Sequence, residues 1–206
     1  MDKQYWDKFY EKEALNRDIT KASTFAVFCQ VNFLTTPKTI IELGCGNGRD
    51  ALYFADKGHS VLAIDQCIDQ RVNYERSHDN LRYLECDFVN HDLDQPSDVL
   101  YSRFTIHSIT QQDQDILLPN AYKKLPDQGL FCIEVRTTKD PKCGLGECIA
   151  ENTYVYDGHT RRFIDSQDFL KTALSVGFKL RYFIERSGLS IYNNDDPVLM
   201  RIILKK

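Results

Sequence analysis

Apolar positions in this chain alternate between short runs and helical spacings, with glycines and prolines at most of the joins. Thr39-Ile40-Ile41-Glu42-Leu43 is a β-branched run that ends in glycines at alternate positions, Gly44, Gly46 and Gly48. A helical pattern follows at once, with Ala51, Leu52, Phe54 and Ala55 on one face. Val61–Ile64 reads as a second buried strand ending in Asp65, followed by a helix over 68–78 and a third strand, Leu81–Leu84. Val99–Ser102 is a fourth strand. The helix over 111–124 comes next, where Pro119 predicts a kink or an early end. The turn Asp127-Gln128-Gly129 leads into a fifth strand, Leu130–Val135. A helix over 166–176 stops at Gly177. Strands over 178–184 and 198–204 close the pattern around the turn cluster 193–197.

Two segments stand apart. Residues 1–36 precede the first strand and predict two helices, 4–16 and 23–34, with Ser23 or Thr24 as the second N-cap and Pro37 as the break. Tyr5, Trp6, Phe9 and Tyr10 give the first helix an aromatic face, whose ordinary use is packing. Residues 137–163 are the least regular stretch and read as a long insertion without regular structure. In a compact domain such a segment is more often functional than idle.

The 206 residues predict one domain, 1–206, with 42% hydrophobic and 27% charged residues, a globular balance. The formal net charge is −4 and no long basic run occurs, so nucleic acid is not an expected partner. No long apolar run or leader-like segment is visible, which predicts a cytoplasmic protein without a membrane partner. Seven cysteines, several inside apolar runs, read as reduced core thiols. Cys143 and Cys148 form the one close pair, and without a second pair facing it no metal site is expected.

The glycine loop carries the chemistry. Glycines let a backbone turn tightly and approach a ligand that a Cβ would exclude, and the helix that follows presents unpaired N–H groups. An acid at the tip of the second strand, Asp65, can accept hydrogen bonds from ribose hydroxyls. The dinucleotide fingerprint wants its third glycine one residue later, where this chain has Arg49. An NAD(P)-dependent oxidoreductase is the alternative that this spacing disfavours. A module that binds its cofactor without turnover is a second alternative.

Glu42-Leu43-Gly44-Cys45-Gly46-Asn47-Gly48 followed by an acidic strand end resembles the first two motifs of the class I S-adenosylmethionine (SAM) methyltransferases. That resemblance implies a Rossmann-like seven-stranded, mostly parallel sheet with a C-terminal antiparallel hairpin and helices on both faces. It implies SAM as cofactor, held by Glu42, Gly44, Cys45, Gly46, Gly48, Arg49, Asp65 and Gln66. Asp87 would hold the adenine amino group and Phe88 would flank the ring. Arg103 and Tyr10 complete the implied cofactor set, with residues 1–36 as a lid. The runs Tyr101–His107 and Gly158–Ile164 further resemble a branch of small bacterial methyltransferases associated with capsule or other surface-polysaccharide synthesis. Arg49-Asp50 is similar to the tellurite-resistance and thiopurine-type branches.

Ligands in such sheets sit beyond the carboxyl ends of the strands. This places Arg103 and His107 after strand four, and Glu134 and Arg136 at the end of strand five, beside an acceptor. His107 is the candidate base, since imidazole titrates near neutrality. Arg103, Arg136, Arg161 and Arg162 predict an anionic acceptor, because guanidinium matches phosphate or carboxylate in two-pronged fashion. One or two of them could instead pair with Asp157 or Glu134. Tyr5, Trp6, Tyr156 and His159 complete the candidate acceptor contacts. The expected partner is a small polar molecule, with a homodimer among the possible assemblies.

Overall fold

The computed structural model describes residues 21–67, 78–89 and 96–206. The expected helices over 4–16 and 68–78, and with them Tyr5, Trp6 and Tyr10, lie wholly or almost wholly outside the described residues. The elements in order are α1 (Thr24–Asn32), β1 (Thr39–Leu43), α2 (Arg49–Asp56), β2 (Ser60–Asp65), β3 (Leu81–Glu85) and β4 (Val99–Arg103). A short 3-10 turn (Ile106–Ser108), α3 (Gln111–Lys124) and β5 (Leu130–Arg136) follow. Then come β6 (Glu147–Ala150), β7 (Thr153–Tyr156), β8 (His159–Arg162), α4 (Ser166–Val176), β9 (Lys179–Arg186) and β10 (Leu199–Lys205).

Seven strands form one sheet in the order β3-β2-β1-β4-β5-β10-β9. The first five pair in parallel, and β10 pairs antiparallel with both β5 and β9. This is the architecture that the resemblance implies. Strand order reverses between β1 and β4, so a crevice opens at their carboxyl ends.

Side chains one apart on a strand face opposite ways, and both faces of this sheet are apolar. Ile41, Leu43, Ile64, Leu100, Phe131, Ile133 and Ile202 pack on one side with Leu117 and Leu118 of α3 and Phe169 and Ala173 of α4. Ile40, Val61, Ala63, Val99, Tyr101, Cys132 and Ile203 pack on the other with Phe25 and Cys29 of α1 and Ala51 and Phe54 of α2. On this second face the pattern turns charged toward the carboxyl ends. Arg103 stands opposite Glu134, and Glu134 opposite Arg201, in the register of β4, β5 and β10.

Three of the four described helices begin at a side-chain cap, and α2 begins at Gly48 without one. Ser23 accepts the Ala26 amide, Thr110 and Asp113 form a reciprocal capping box, and Asp165 accepts from Gln167 and Asp168. Pro119 neither ends nor shortens α3, which runs on to Lys124.

The expectation of irregular structure over 137–163 is overturned. Residues 147–162 form a separate three-stranded antiparallel sheet, β6-β7-β8. Tyr156 pairs with His159, so Asp157-Gly158 is a two-residue hairpin loop with both residues at positive φ, 51° and 71°. This small sheet packs β8 against the 3-10 turn, at the same end of the main sheet as the crevice.

Candidate active site

A cavity of about 520 Å³ occupies the crevice, and two groups of residues line it. Glu42, Gly44, Cys45, Asn47, Arg49, Asp50 and Asp65 line one half. Arg103, Phe104, Thr105, His107, Ser108, Arg136, Arg161 and residues from Ser190 to Pro197 line the other.

The first half is built from the end of β1. The Gly44 and Cys45 amides both donate to the Ile64 carbonyl, which fastens the loop to β2. Gly44 has φ +78°, and a Cβ there would lie 2.3 Å from Thr105 Oγ1. Only glycine fits between the loop and the β4 end. Asp65 accepts the Gly46 amide at 2.8 Å and the Cys67 amide at 2.9 Å, so its carboxylate holds the loop while lining the cavity. Glu42 is buried beneath. Burial, then the nearby charges of Asp50 and Asp65, push its carboxyl well above the usual range. Its Oε2 is buried and has no hydrogen-bond partner among the described residues.

The second half is held by ion pairs. Glu134, fully buried, accepts from Arg103 Nε at 2.9 Å and from Arg201 Nε at 2.5 Å. Burial works against charge on Arg103, but Glu134, Asp50 and Tyr101 together more than offset it and raise the pKa. Arg103 also donates to Ser190 Oγ at 2.8 Å, and Arg201 to the Leu189 carbonyl at 2.9 Å. These bonds dock the β9–β10 loop onto the sheet. Arg136 pairs with Asp140 at 2.8 Å and with Asp195, a residue of the same loop. Phe104, at φ +57°, holds a backbone conformation that bulky residues seldom adopt. Its ring lies 4.2 Å from the Arg103 guanidinium carbon and 5.5 Å from the His107 ring. His107 is buried, and its Nδ1 accepts the Arg136 amide at 3.3 Å. Burial, then Arg161 and Arg136, hold its pKa well below the ordinary value.

The structure thus brings Glu42, Gly44, Cys45, Arg49, Asp65, Arg103, His107, Arg136 and Arg161 to one cavity. Gly46 and Gly48 belong to the same loop, with Gly48 at φ +70° starting α2. Several expected contacts lie elsewhere. Phe88 is 2% exposed, packs within the core beside Ile41 and Ile64, and is not among the residues that line the cavity. Asp87 caps its own turn by accepting the Val89 amide at 3.0 Å, and neither it nor Gln66 lines the cavity. Tyr156 is 46% exposed on β7, and neither it nor the buried His159 lines the cavity. Arg162 is a structural clasp. It donates to the Ile109 carbonyl at 3.0 Å, the Ile106 carbonyl at 3.0 Å, Gln111 at 2.6 Å and Gln114 at 2.8 Å.

Sequence reasoning missed Asp50, Thr105, Phe104 and the loop from Ser190 to Pro197. Part of that loop was legible only as a turn. Among the described residues no helix is long and apolar enough to cross a membrane, and no group of three or more His, Cys, Asp or Glu could hold a metal ion.

The sheet order, the glycine cradle and the acid at the β2 tip define a class I methyltransferase fold. A methyltransferase-domain family model matches residues 10–182, and the chain belongs to that family, whose members use SAM. The chain is 28% identical over 99 residues to an uncharacterized methyltransferase of Staphylococcus carnosus, a match over 48% of this chain and 47% of the relative. It thus spans about half the length of that curated relative. Among solved structures it resembles the Burkholderia thailandensis 1,6-didemethyltoxoflavin-N1-methyltransferase, crystallised with that substrate and S-adenosylhomocysteine. That likeness has a TM-score of 0.73 and 18% identity, over 98% of this chain and 87% of the other. A TehB-like SAM-dependent methyltransferase of Corynebacterium glutamicum matches with a TM-score of 0.66 and 20% identity, over 98% and 97%.

Proposed function

We propose that this chain is a SAM-dependent methyltransferase whose acceptor is a small polar, anionic molecule. The observation that carries the reading is the joining of the glycine cradle, Asp65 and the unsatisfied Glu42 oxygen in one cavity with a cationic wall. SAM supplies a methyl group on a sulfonium, already activated for transfer. The residues present suit it. Asp65 would hold ribose hydroxyls, and the buried Glu42 oxygen suits an ammonium group. Gly44 keeps the loop clear of side-chain bulk. What remains for the protein is to exclude water and to orient the acceptor.

Arg103, Arg136 and Arg161 support the anionic character of the acceptor, although Arg103 and Arg136 already carry carboxylate partners. The bacterial branch that the sequence resembles extends the proposal to a sugar, sugar phosphate or nucleotide-linked intermediate of surface-polysaccharide synthesis. O-methylation is the reaction proposed there.

Calorimetric titration with S-adenosylhomocysteine and with NADH tests the reading. The homologue should bind and NADH should not. Asp65→Ala should weaken binding by about 1.5–3 kcal/mol, the range for a hydrogen bond to a charged group. A 2′-deoxyribose analogue should lose much less affinity in that variant than in the parent. Tight NADH binding, or an Asp65→Ala variant with unchanged affinity, would defeat the proposal.

A further inference from the structure

We propose that His107 acts as a neutral Nε2–H hydrogen-bond donor to the acceptor and not as a base, and that the acceptor is therefore a nucleophile already ionised when it binds, such as a carboxylate, and not an alcohol. The inference rests on the methyltransferase reading and narrows its O-methylated acceptors to those that take the methyl on an anionic group, such as the carboxylate of an acidic sugar.

A backbone N–H can only donate. The Arg136 amide donates to His107 Nδ1 at 3.3 Å, so that nitrogen carries the lone pair. In a neutral imidazole the proton is then on Nε2, the ring nitrogen left for the cavity that His107 lines. A nitrogen that already bears hydrogen cannot take a second one from a hydroxyl. It can donate to an oxygen of the acceptor. Protonating Nδ1 instead would break the Arg136 bond and create a cation among cations. Arg136 on β5 and His159, Arg161 and Arg162 on β8 all raise the cost of charge on the ring. Phe104 covers another side at 5.5 Å, and the site is buried.

The other described acids near this half offer no better base. Glu134 sits between Arg103 and Arg201, and Asp140 pairs with Arg136. Burial alone would raise the Asp195 carboxyl, but hydrogen bonds from Arg136 and Lys142 hold it below its usual range. A carboxylate so paired is a weak proton acceptor. An alcohol would have to lose a proton as it took the methyl, and in this half of the cavity the described acids are all engaged by arginine or lysine, while Glu42 lies in the cofactor half. An ionised acceptor avoids the problem. Its lone pair forms the bond to the methyl carbon as the carbon–sulfur bond breaks, and that bond's electrons stay on sulfur. The negative charge of the acceptor and the positive charge of the sulfonium cancel, and no proton is released.

The ring itself can be read directly. In protein saturated with S-adenosylhomocysteine, long-range ¹H–¹⁵N correlation spectra report the imidazole tautomer, with His107 assigned by its loss in His107→Gln. A neutral ring protonated on Nε2 from about pH 5.5 to about pH 8.5 is expected. A ring protonated on Nδ1, or a titration midpoint near the ordinary value of about 6.5, would overturn the proposal. Galacturonate and galactose are a matched probe pair for the acceptor class. Methylation of galacturonate without proton release at neutral pH supports it, and methylation of galactose with one proton released per methyl defeats it. Failure of S-adenosylhomocysteine to bind would defeat the methyltransferase reading separately, since the tautomer is also measurable in the free protein.

Discussion

Asp50 gives both of its carboxylate oxygens to Ser23, accepting the backbone N–H at 2.7 Å and the hydroxyl at 2.7 Å. Tyr101 Oη donates to the same carboxylate at 2.7 Å. The residue that caps α1 is thereby tied to α2, and both line the cofactor half of the cavity. Asp50→Ala should destabilise the fold by about 3–5 kcal/mol, because it strands buried donors. Asp50→Asn keeps the shape but loses one accepting oxygen, and should cost about 1.5–3 kcal/mol. Urea midpoints check the ranking. Should residues 1–36 close over the cofactor, Trp6, the only tryptophan, reports it. Saturating S-adenosylhomocysteine should change its fluorescence, and less so in Asp50→Asn.

Gly44→Ala should fail twice. The φ of +78° disfavours any Cβ, and that Cβ would stand 2.3 Å from Thr105 Oγ1 and 2.4 Å from its Cγ2. Overpacking of this kind costs about 1–3 kcal/mol, with about 1–2 kcal/mol more for the left-handed backbone. Adding Thr105→Ala should recover only the first share. Thermal melts of the single and double variants separate the two.

Glu42 makes a prediction in pH. Its folded pKa is raised above the unfolded value of 4.5, first by burial and then by Asp50 and Asp65. The folded form binds the proton more tightly, so this group's stabilising share is full below pH 4.5 and is lost as pH rises toward the folded value. Glu42→Gln should therefore stabilise the ligand-free protein at neutral pH, by about 1–3 kcal/mol. The same change should weaken SAM binding more than it weakens binding of an analogue lacking the amino group. Melting curves from pH 5 to pH 8 and calorimetry provide the comparison.

Arg162→Ala should loosen the small sheet without touching the cavity. The guanidinium bridges two carbonyls of the segment after β4 and two glutamines at the start of α3. Burial lowers its pKa to about 10, still charged at neutrality. Loss of the clasp should cost about 3–5 kcal/mol, and Arg162→Lys roughly half of that, since lysine lacks the planar fork. Amide exchange in β6–β8 should accelerate, while S-adenosylhomocysteine affinity changes less than tenfold.

The sheet was legible because its central strands β1, β2, β4 and β5 are apolar on both faces, and the glycine loop because its spacing is chemically restrictive. The small sheet was harder. Every residue of β6 is exposed, so no inside–outside alternation marks it. The one readable sign was Asp157-Gly158, a hairpin dipeptide. Missing that strand blurred Arg161 and Arg162 into equivalent candidates. Neighbours on a strand point to opposite faces, so one lines the cavity and the other clasps the 3-10 turn. The β9–β10 loop was invisible as a wall for another reason. Its docking depends on Arg103, distant in sequence from Ser190, and no local pattern encodes such a partner.

The alternation Arg103–Glu134–Arg201 also governs assembly. In the main sheet β9 pairs with β10 alone, so its place in that sheet depends on β10 lying beside β5. A slip of β10 by one residue would turn Arg201 to the opposite face and leave Glu134 buried with one partner fewer. The charges thus proofread the register of the strand that admits β9, and the loop between those two strands takes its place only when the register is right. Native-state exchange should find the β9 amides never better protected than those of β10.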